Sequence, residues 1–130
     1  MKAEGLQELE SAFAAARRER AGGLLVLGDT AFDSYRAQVI EMAHGSRLPV
    51  ISLIPRFAPA GALMTYGPSP SEMFRRAAFY VDRILKGTKP GDIPVEQPTR
   101  FELVINLRTA KTFGLNIRRE LLRAADHVIQ

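Results

Sequence analysis

The sequence predicts an α/β fold in which helices cover a parallel β-sheet. The short run 24–27 is apolar throughout, which is typical of a strand buried on both faces of a parallel sheet, and a second strand is predicted over 49–54. The segment between them has the apolar spacing of a helix and the length of a crossover connection. Strand, helix and strand in this order favour a right-handed βαβ unit, and ligands of such folds gather outside the carboxyl ends of the strands.

The flanking segments extend this alternation of helices and strands. Apolar residues recur at helical spacing over 6–20 and again over roughly 31–44, so an amphipathic helix is expected in each segment. An irregular link containing Pro59 and Gly61 follows the second strand. It leads to a third short strand over 62–66.

A long amphipathic helix is predicted over 71–86. Ser69 or Ser71 is placed to cap its first turn, and Gly87 stands where a helix C-terminus favours glycine. Six apolar side chains are expected to face inward: Phe74, Ala77, Ala78, Val81, Ile84 and Leu85. A packing surface for this helix is therefore expected.

The C-terminal third begins with a connector over 87–98, where glycines and prolines predict an extended chain. A strand is predicted over 101–105. Asn106 is placed to cap a helix over 107–113, and a last short helix is expected over 119–126.

Composition limits the function classes. A chain of 130 residues is long enough for one modest domain with a single core. The net charge of +4 arises from basic residues that are spread among acidic ones, so the pattern favours solvated helix faces over a nucleic-acid surface. The start of the sequence has no apolar signal region, and no run is long and apolar enough to span a bilayer. As written, the chain is expected to be soluble and to remain in the cytoplasm.

Catalytic and metal sites are not expected. Cysteine is absent, and no nucleophile elbow, phosphate loop or dinucleotide motif occurs, so the chain is predicted not to be an enzyme and to need no cofactor. His44 and His127 lack the spacing of metal ligands and are interpreted as surface residues. Asp29 follows a buried strand, as the phosphoacceptor of a receiver domain does, but the sequence lacks the acidic pair and the late lysine of that fold.

Four motifs carry a resemblance to a known family. They are Tyr66-Gly67, Ile84-Leu85-Lys86-Gly87, Pro94-Val95-Glu96-Gln97-Pro98, and the stretch 101–114 with Asn106, Thr109 and Ala110. These motifs, together with 9–30, make nearly the whole chain similar to the C-terminal half of an ABC transporter solute-binding protein of the tryptophan and tyrosine uptake type.

The resemblance implies part of a three-layer α/β/α parallel-sheet lobe of the type I periplasmic-binding-protein-like fold. Members of such families have two lobes that close on a small solute, possible solutes including an aromatic amino acid, and they deliver it to an ABC permease. On this template, 1–62 and 101–130 belong to the second lobe, whereas 63–100 forms crossover strands and a helix that packs on the first lobe. The family acts in the periplasm or cell envelope.

A complete relative is more than twice as long as this sequence. The helix over 71–86 is therefore expected to expose an apolar stripe, and self-association or marginal stability follows from it as a hypothesis. The alternative function is a truncated remnant without a transport role, or a stand-alone lobe for ligand sensing or interaction.

Six residues are candidate ligand contacts by this resemblance: Asp29, Thr30, Phe32, Phe57, Tyr66 and Gly67. Asp29 and Thr30 are placed either to hold charged groups of the ligand or to cap the next helix. Phe32 and Phe57 are placed either to stack on an aromatic ligand or to fill the core. The Tyr66 hydroxyl is a hydrogen-bond donor, and Gly67 allows the backbone to approach closely. Glu96 is interpreted as a solvated or hinge-locking charge rather than a ligand group.

Overall fold

A computed structural model describes residues 6–130, apart from the side chains of residues 6, 7, 30 and 31. The chain forms two compact units. The first unit runs to Gly67 and resumes at Glu102, and the second unit is Pro68–Phe101. The predicted assignment of segments to two lobes refers to a longer protein and stays a prediction.

Helices and strands alternate along the described chain, as the sequence predicts. The helices are α1 (Leu6–Arg18), α2 (Thr30–Ser34), α3 (Arg36–Gly45), α4 (Phe57–Ala60), α5 (Pro70–Leu85), α6 (Leu107–Thr112) and α7 (Arg119–Ala124), with a 3-10 turn at Pro90–Asp92. The strands are β1 (Leu24–Val26), β2 (Val50–Ser52), β3 (Met64–Pro68), β4 (Phe101–Asn106) and β5 (His127–Ile129).

The described strands form one sheet in the order β1-β2-β3-β4-β5. The pairs β1–β2, β2–β3 and β4–β5 are parallel. Because β1, β2 and β3 run in the same direction, their carboxyl ends lie along the same edge of the sheet. The expected α/β fold with a mostly parallel sheet is confirmed.

One face of the sheet in the first unit is covered by helices. Phe13 of α1 and Val39 of α3 pack with the buried strand residues Val26 and Val50, and Phe57 of α4 completes this core with no exposed surface. Helix α3 contributes Ala43 to the same cluster. Burial of these side chains is the main source of stability in this unit.

The other face of the same sheet is open. Leu25 and Ile51 are register partners on this face, and they are 61% and 38% exposed. Leu27 and Leu53 continue the face and are also exposed. The expectation that the strand over 24–27 is buried on both faces is therefore wrong for the described chain, although its apolar character is that of a strand covered on both sides.

Three local features differ from the expectations. The helix expected over 31–44 is two helices, because the backbone at Tyr35 departs from helical geometry with ψ 17°. The link after β2 contains α4, which ends at Gly61 in a left-handed conformation with φ 119°. The last predicted helix, over 119–126, ends at Ala124, and the short strand β5 follows it and pairs with β4.

Helix α5 carries the apolar side chains that the sequence predicts, but all sixteen of its residues are described and none of them is buried. Phe74 is 78% exposed and Leu85 is 82% exposed, so the expected exposed stripe is confirmed. Gly87 ends the helix region with φ 96°, as predicted from its C-terminal position. Within residues 6–130, none of the helices is both long and apolar enough to cross a membrane.

Candidate functional site

The candidate site lies in the first unit, at the edge of the sheet where β1, β2 and β3 end. Asp29 follows β1, Leu53 follows β2, and Tyr66 and Gly67 lie near the end of β3. The parallel pairing of the three strands brings these positions to one edge. This edge is where ligands of open α/β sheets bind.

Asp29 stands at the entrance to α2. Its carbonyl oxygen accepts a hydrogen bond from the amide of Asp33 at 3.2 Å, and the residue is exposed. Both expected roles, ligand contact and helix capping, therefore remain compatible with its position. Thr30 begins α2, but its side chain lies outside the described residues.

A charged cluster that the sequence did not single out lies close to Asp29. The carboxylate of Asp33 in α2 is paired with Arg36 at 2.5 Å and with Arg56 at 3.4 Å. Arg56 follows β2, and its side chain is 74% exposed. It therefore places a guanidinium at the same edge of the sheet as Asp29, where it can bind a carboxylate. A lone arginine in a turn gives no sequence signal, since only the fold brings it near α2.

The two candidate phenylalanines both contact the core of the first unit, to different extents. Phe57 has no exposed surface and lies in the core cluster, so the structure gives it the core role of the two that were expected. Phe32 is partly buried and packs against the same cluster.

Tyr66 and Gly67 differ sharply in exposure although they are adjacent. Tyr66 is 53% exposed on the open side of β3, where its ring and hydroxyl can meet a ligand. Gly67 is buried, and a Cβ built on it would lie 2.1 Å from the carbonyl oxygen of Leu53. The backbone approach expected at Gly67 is thus made by the neighbouring loop of the same unit, and only glycine fits there.

Two buried hydroxyls lie behind this edge, on the covered face of the sheet. Ser52 and Thr65 are register partners and have no exposed surface. The hydroxyl of Ser52 accepts a hydrogen bond from the amide of Ile54 at 3.0 Å, which shapes the turn after β2. Within the described part of the chain, Thr65 Oγ1 is buried without a hydrogen-bond partner.

Residues of the C-terminal family motif hold the loop around α4 in place. Asn106 caps α6 as predicted, since its side chain accepts a hydrogen bond from the amide of Thr109 at 3.2 Å. The hydroxyl of Thr109 donates to the carbonyl oxygen of Gly61 at 3.1 Å, and His44 Nε2 contacts the same oxygen at 2.9 Å. Because a carbonyl oxygen only accepts, Nε2 carries the proton. His44 is therefore half-buried and bonded, and its interpretation as a surface residue is wrong.

The second unit contains a groove of about 470 Å³ between α5 and residues 96–100, and none of the six predicted ligand residues lines it. The guanidinium of Arg76 spans it with two hydrogen bonds to the carboxylate of Glu96, one of them at 2.6 Å. Arg76 also lies over the ring of Phe79, 4.2 Å from its centroid. Hydrogen bonding from Arg76, and also from Tyr80, lowers the pKa of Glu96. Glu96 is thus paired within the second unit, and its interpretation as a solvated or hinge-locking charge stays a prediction.

The comparisons with known proteins agree on the fold. The ABC transporter substrate binding protein family matches residues 1–129. Comparison with curated proteins gives no match. A conserved domain protein of Vibrio cholerae O1 biovar El Tor has a similar structure, with a TM-score of 0.85 and 26% identity over 94% of this chain and 41% of that chain.

Two further solved structures share the fold at lower identity. The ABC domain of Streptococcus pneumoniae in complex with L-Trp has a TM-score of 0.86 at 23% identity. A ligand-free, open substrate-binding protein with adhesive properties from Clostridium difficile has a TM-score of 0.66 at 19% identity. This chain is covered to 95% in both cases and spans 41% of each protein. The match over residues 1–129 shows that the chain belongs to the ABC transporter substrate-binding protein family.

Proposed function

We propose that this chain binds a small solute, an amino acid, at the edge where β1, β2 and β3 end, as part of the substrate-binding component of an ABC uptake transporter. The family match over residues 1–129 carries this proposal. Proteins of this class bind and release a solute without changing it, so no catalytic step is invoked. The partner that receives the solute is an ABC permease.

The chemistry of the edge supports an amino acid as the ligand. The Asp29 carboxylate is suited to an ammonium group, and the exposed Arg56 guanidinium is suited to a carboxylate. Two opposite charges at one edge match the two ends of a zwitterion. This pairing is the feature by which the edge favours an amino acid over a neutral sugar.

An aromatic side chain is the ligand group that we propose to lie on Tyr66. Its ring is half exposed and provides a flat apolar surface beside polar groups. The L-Trp complex of a protein with the same fold supports this choice. Phe57 is not part of the proposed site because it is enclosed in the core.

The chain spans about two fifths of the solved structures that it matches, so the edge is proposed to supply one wall of the binding cleft. A solute enclosed between two walls loses most of its contact with water, whereas a solute bound to one wall keeps about half of its surface in water. Binding by the 130-residue chain alone is therefore expected to be weak.

The test is a thermal unfolding series of the chain with each of the twenty common amino acids. A ligand that binds only the folded state adds about 1.4 kcal/mol at ten times its Kd, or roughly 5 °C for a protein of this size. We expect tryptophan, tyrosine or phenylalanine to raise Tm and lysine and glutamate to leave it unchanged.

Variants then assign the site. Arg56→Gln and Asp29→Asn are expected to remove the shift while leaving Tm without ligand nearly unchanged, since both side chains are exposed. Asp92→Asn in the 3-10 turn of the second unit is the matched control and should keep the shift. No shift with any amino acid, measured up to the solubility limit, would favour the alternative of a remnant lobe without a transport role.

A further inference from the structure

We infer that Asp33 is a specificity-determining residue of the candidate site: it holds the Arg56 guanidinium while the site is empty and yields it to the carboxylate of the solute. The inference rests on the proposed function, which assigns Arg56 to that carboxylate. Its consequence is selection among solutes. A solute gains the bond to Arg56 only if it is a better acceptor for the guanidinium than Asp33 is.

The two arginines that share the Asp33 carboxylate hold it unequally. Arg36 Nη1 lies 2.5 Å from Oδ1 and also donates to the backbone carbonyl oxygen of Asp33 at 3.1 Å. The side chains of this pair are both about one third exposed. Arg56 Nη1 lies 3.4 Å from Oδ2, and its side chain is 74% exposed. The longer bond from the more exposed guanidinium is the weaker one, so Arg56 is the arginine that a competing acceptor can take.

Arg36 reduces the free-energy cost of releasing Arg56. A half-buried carboxylate that loses its last partner suffers a desolvation penalty. Asp33 keeps its bond from Arg36 when Arg56 leaves, so its charge stays paired. The backbone of Arg56 is already helical at the residue before α4, with φ −64° and ψ −15°. The exchange therefore needs only a rotation of the Arg56 side chain.

A free carboxylate can compete with Asp33 because it can approach the guanidinium with both oxygens. Arginine binds such a group through two parallel hydrogen bonds. Asp33 gives Arg56 a single long bond, since its other oxygen accepts from Arg36. A neutral amide or hydroxyl of a solute cannot form the charged, two-oxygen pair. Asp33 thus favours solutes that carry a carboxylate over solutes in which a neutral group replaces it.

Nuclear magnetic resonance of the arginine Nε–H groups follows the exchange in the 130-residue chain, with L-tryptophan as the probe. Tryptophan should shift the Arg56 signal and leave the Arg36 signal in place. Asp33→Asn removes the competing charge and should lower the Kd for tryptophan about two- to fivefold, which corresponds to the strength of an exposed ion pair. Asp82→Asn is the matched control, because it removes the same charge from an exposed pair with Lys86 in the second unit, and it should leave the Kd unchanged.

Two comparisons separate this exchange from a general change of charge. Tryptamine keeps the ring and the ammonium group of tryptophan but has no carboxylate, so Asp33→Asn should not improve its binding. Asp33→Asn added to Arg56→Gln should not restore tryptophan binding, because the gain acts through Arg56. Circular dichroism checks that each variant is folded, and Asp33→Ala repeats the test with a residue that favours helix.

The outcomes distinguish this inference from the proposed function. Equal or weaker tryptophan binding by Asp33→Asn and Asp33→Ala overturns the inference alone, as does a gain that persists with tryptamine or in the Arg56→Gln background. A tryptophan titration that changes no signal in the parent chain or in Asp33→Asn overturns the proposed function, and the inference with it.

Discussion

The side-chain amide of Asn106 donates a hydrogen bond to the carbonyl oxygen of Ala58, 2.9 Å away and 48 positions earlier in the chain. The same side chain caps α6 through Thr109, so one buried residue fixes both a helix start and the loop around α4. That loop follows β2 and carries Arg56 at its beginning, which links the motif at the end of β4 to the candidate site.

Asn106→Ala is expected to destabilise the chain by about 2–3 kcal/mol, because it removes two hydrogen bonds that a buried side chain makes, one to Ala58 and one to Thr109. Urea unfolding followed by circular dichroism measures the effect. Thr112→Ala removes an exposed hydroxyl that bonds only to the carbonyl of its own helix, and it should cost less than about 0.5 kcal/mol. Equal losses in the two variants would contradict this role of Asn106.

Gly67→Ala is expected to destabilise the chain by roughly 3 kcal/mol. The added methyl group would lie 2.1 Å from the backbone oxygen of Leu53, and backbone cannot move aside as the end of a side chain can. The unfolding midpoint in urea measures the loss. Gly22→Ala is the control, since nothing lies within 4 Å of a Cβ at that position. A tolerated Gly67→Ala would mean that β2 and β3 do not approach as described.

The sequence contained enough information for the fold and for the position of the candidate edge. Apolar runs and glycine or proline breaks predict β1, β2, α5 and their order, because these signals are local. The cap at Asn106 was predictable for the same reason. The expected family and α/β fold are confirmed by the match over residues 1–129 and by the solved structures.

What the sequence could not supply depends on contacts between distant residues. The pairing of Arg56 with Asp33 joins positions 23 apart, and the bond from His44 to Gly61 joins positions 17 apart. No periodicity marks such pairs. Short elements were missed for a related reason: α4 and β5 are held by tertiary hydrogen bonds and strand pairing rather than by their own pattern.

Thr65→Val is expected to stabilise the chain by about 1 kcal/mol. Within the described residues its hydroxyl is buried without a partner, so a methyl group of the same shape removes a desolvation cost and loses no hydrogen bond. Thermal or urea unfolding measures the gain. Thr109→Val makes the same chemical change at a hydroxyl that does bond, to Gly61, and should destabilise by about 1 kcal/mol. Destabilisation of both variants would show that Thr65 has a partner.

The ion pair between Arg76 and Glu96 is expected to make the second unit sensitive to acid. Hydrogen bonding from Arg76 lowers the pKa of Glu96 in the folded chain, so its stabilisation is present above the ordinary glutamate pKa of about 4.3 and is lost as the pH falls below it. Hydrogen exchange of the α5 amides reports this locally. At neutral pH, the amides of residues 70–85 should exchange several-fold faster in Glu96→Gln than in the parent chain, and the ratio of the two rates should fall toward one in acid.

Asp82→Asn removes an exposed ion pair with Lys86 and serves as the control, and its ratio of exchange rates to the parent chain should stay near one at every pH. A ratio for Glu96→Gln that does not change with pH would show that the carboxylate does not hold α5 to the connector.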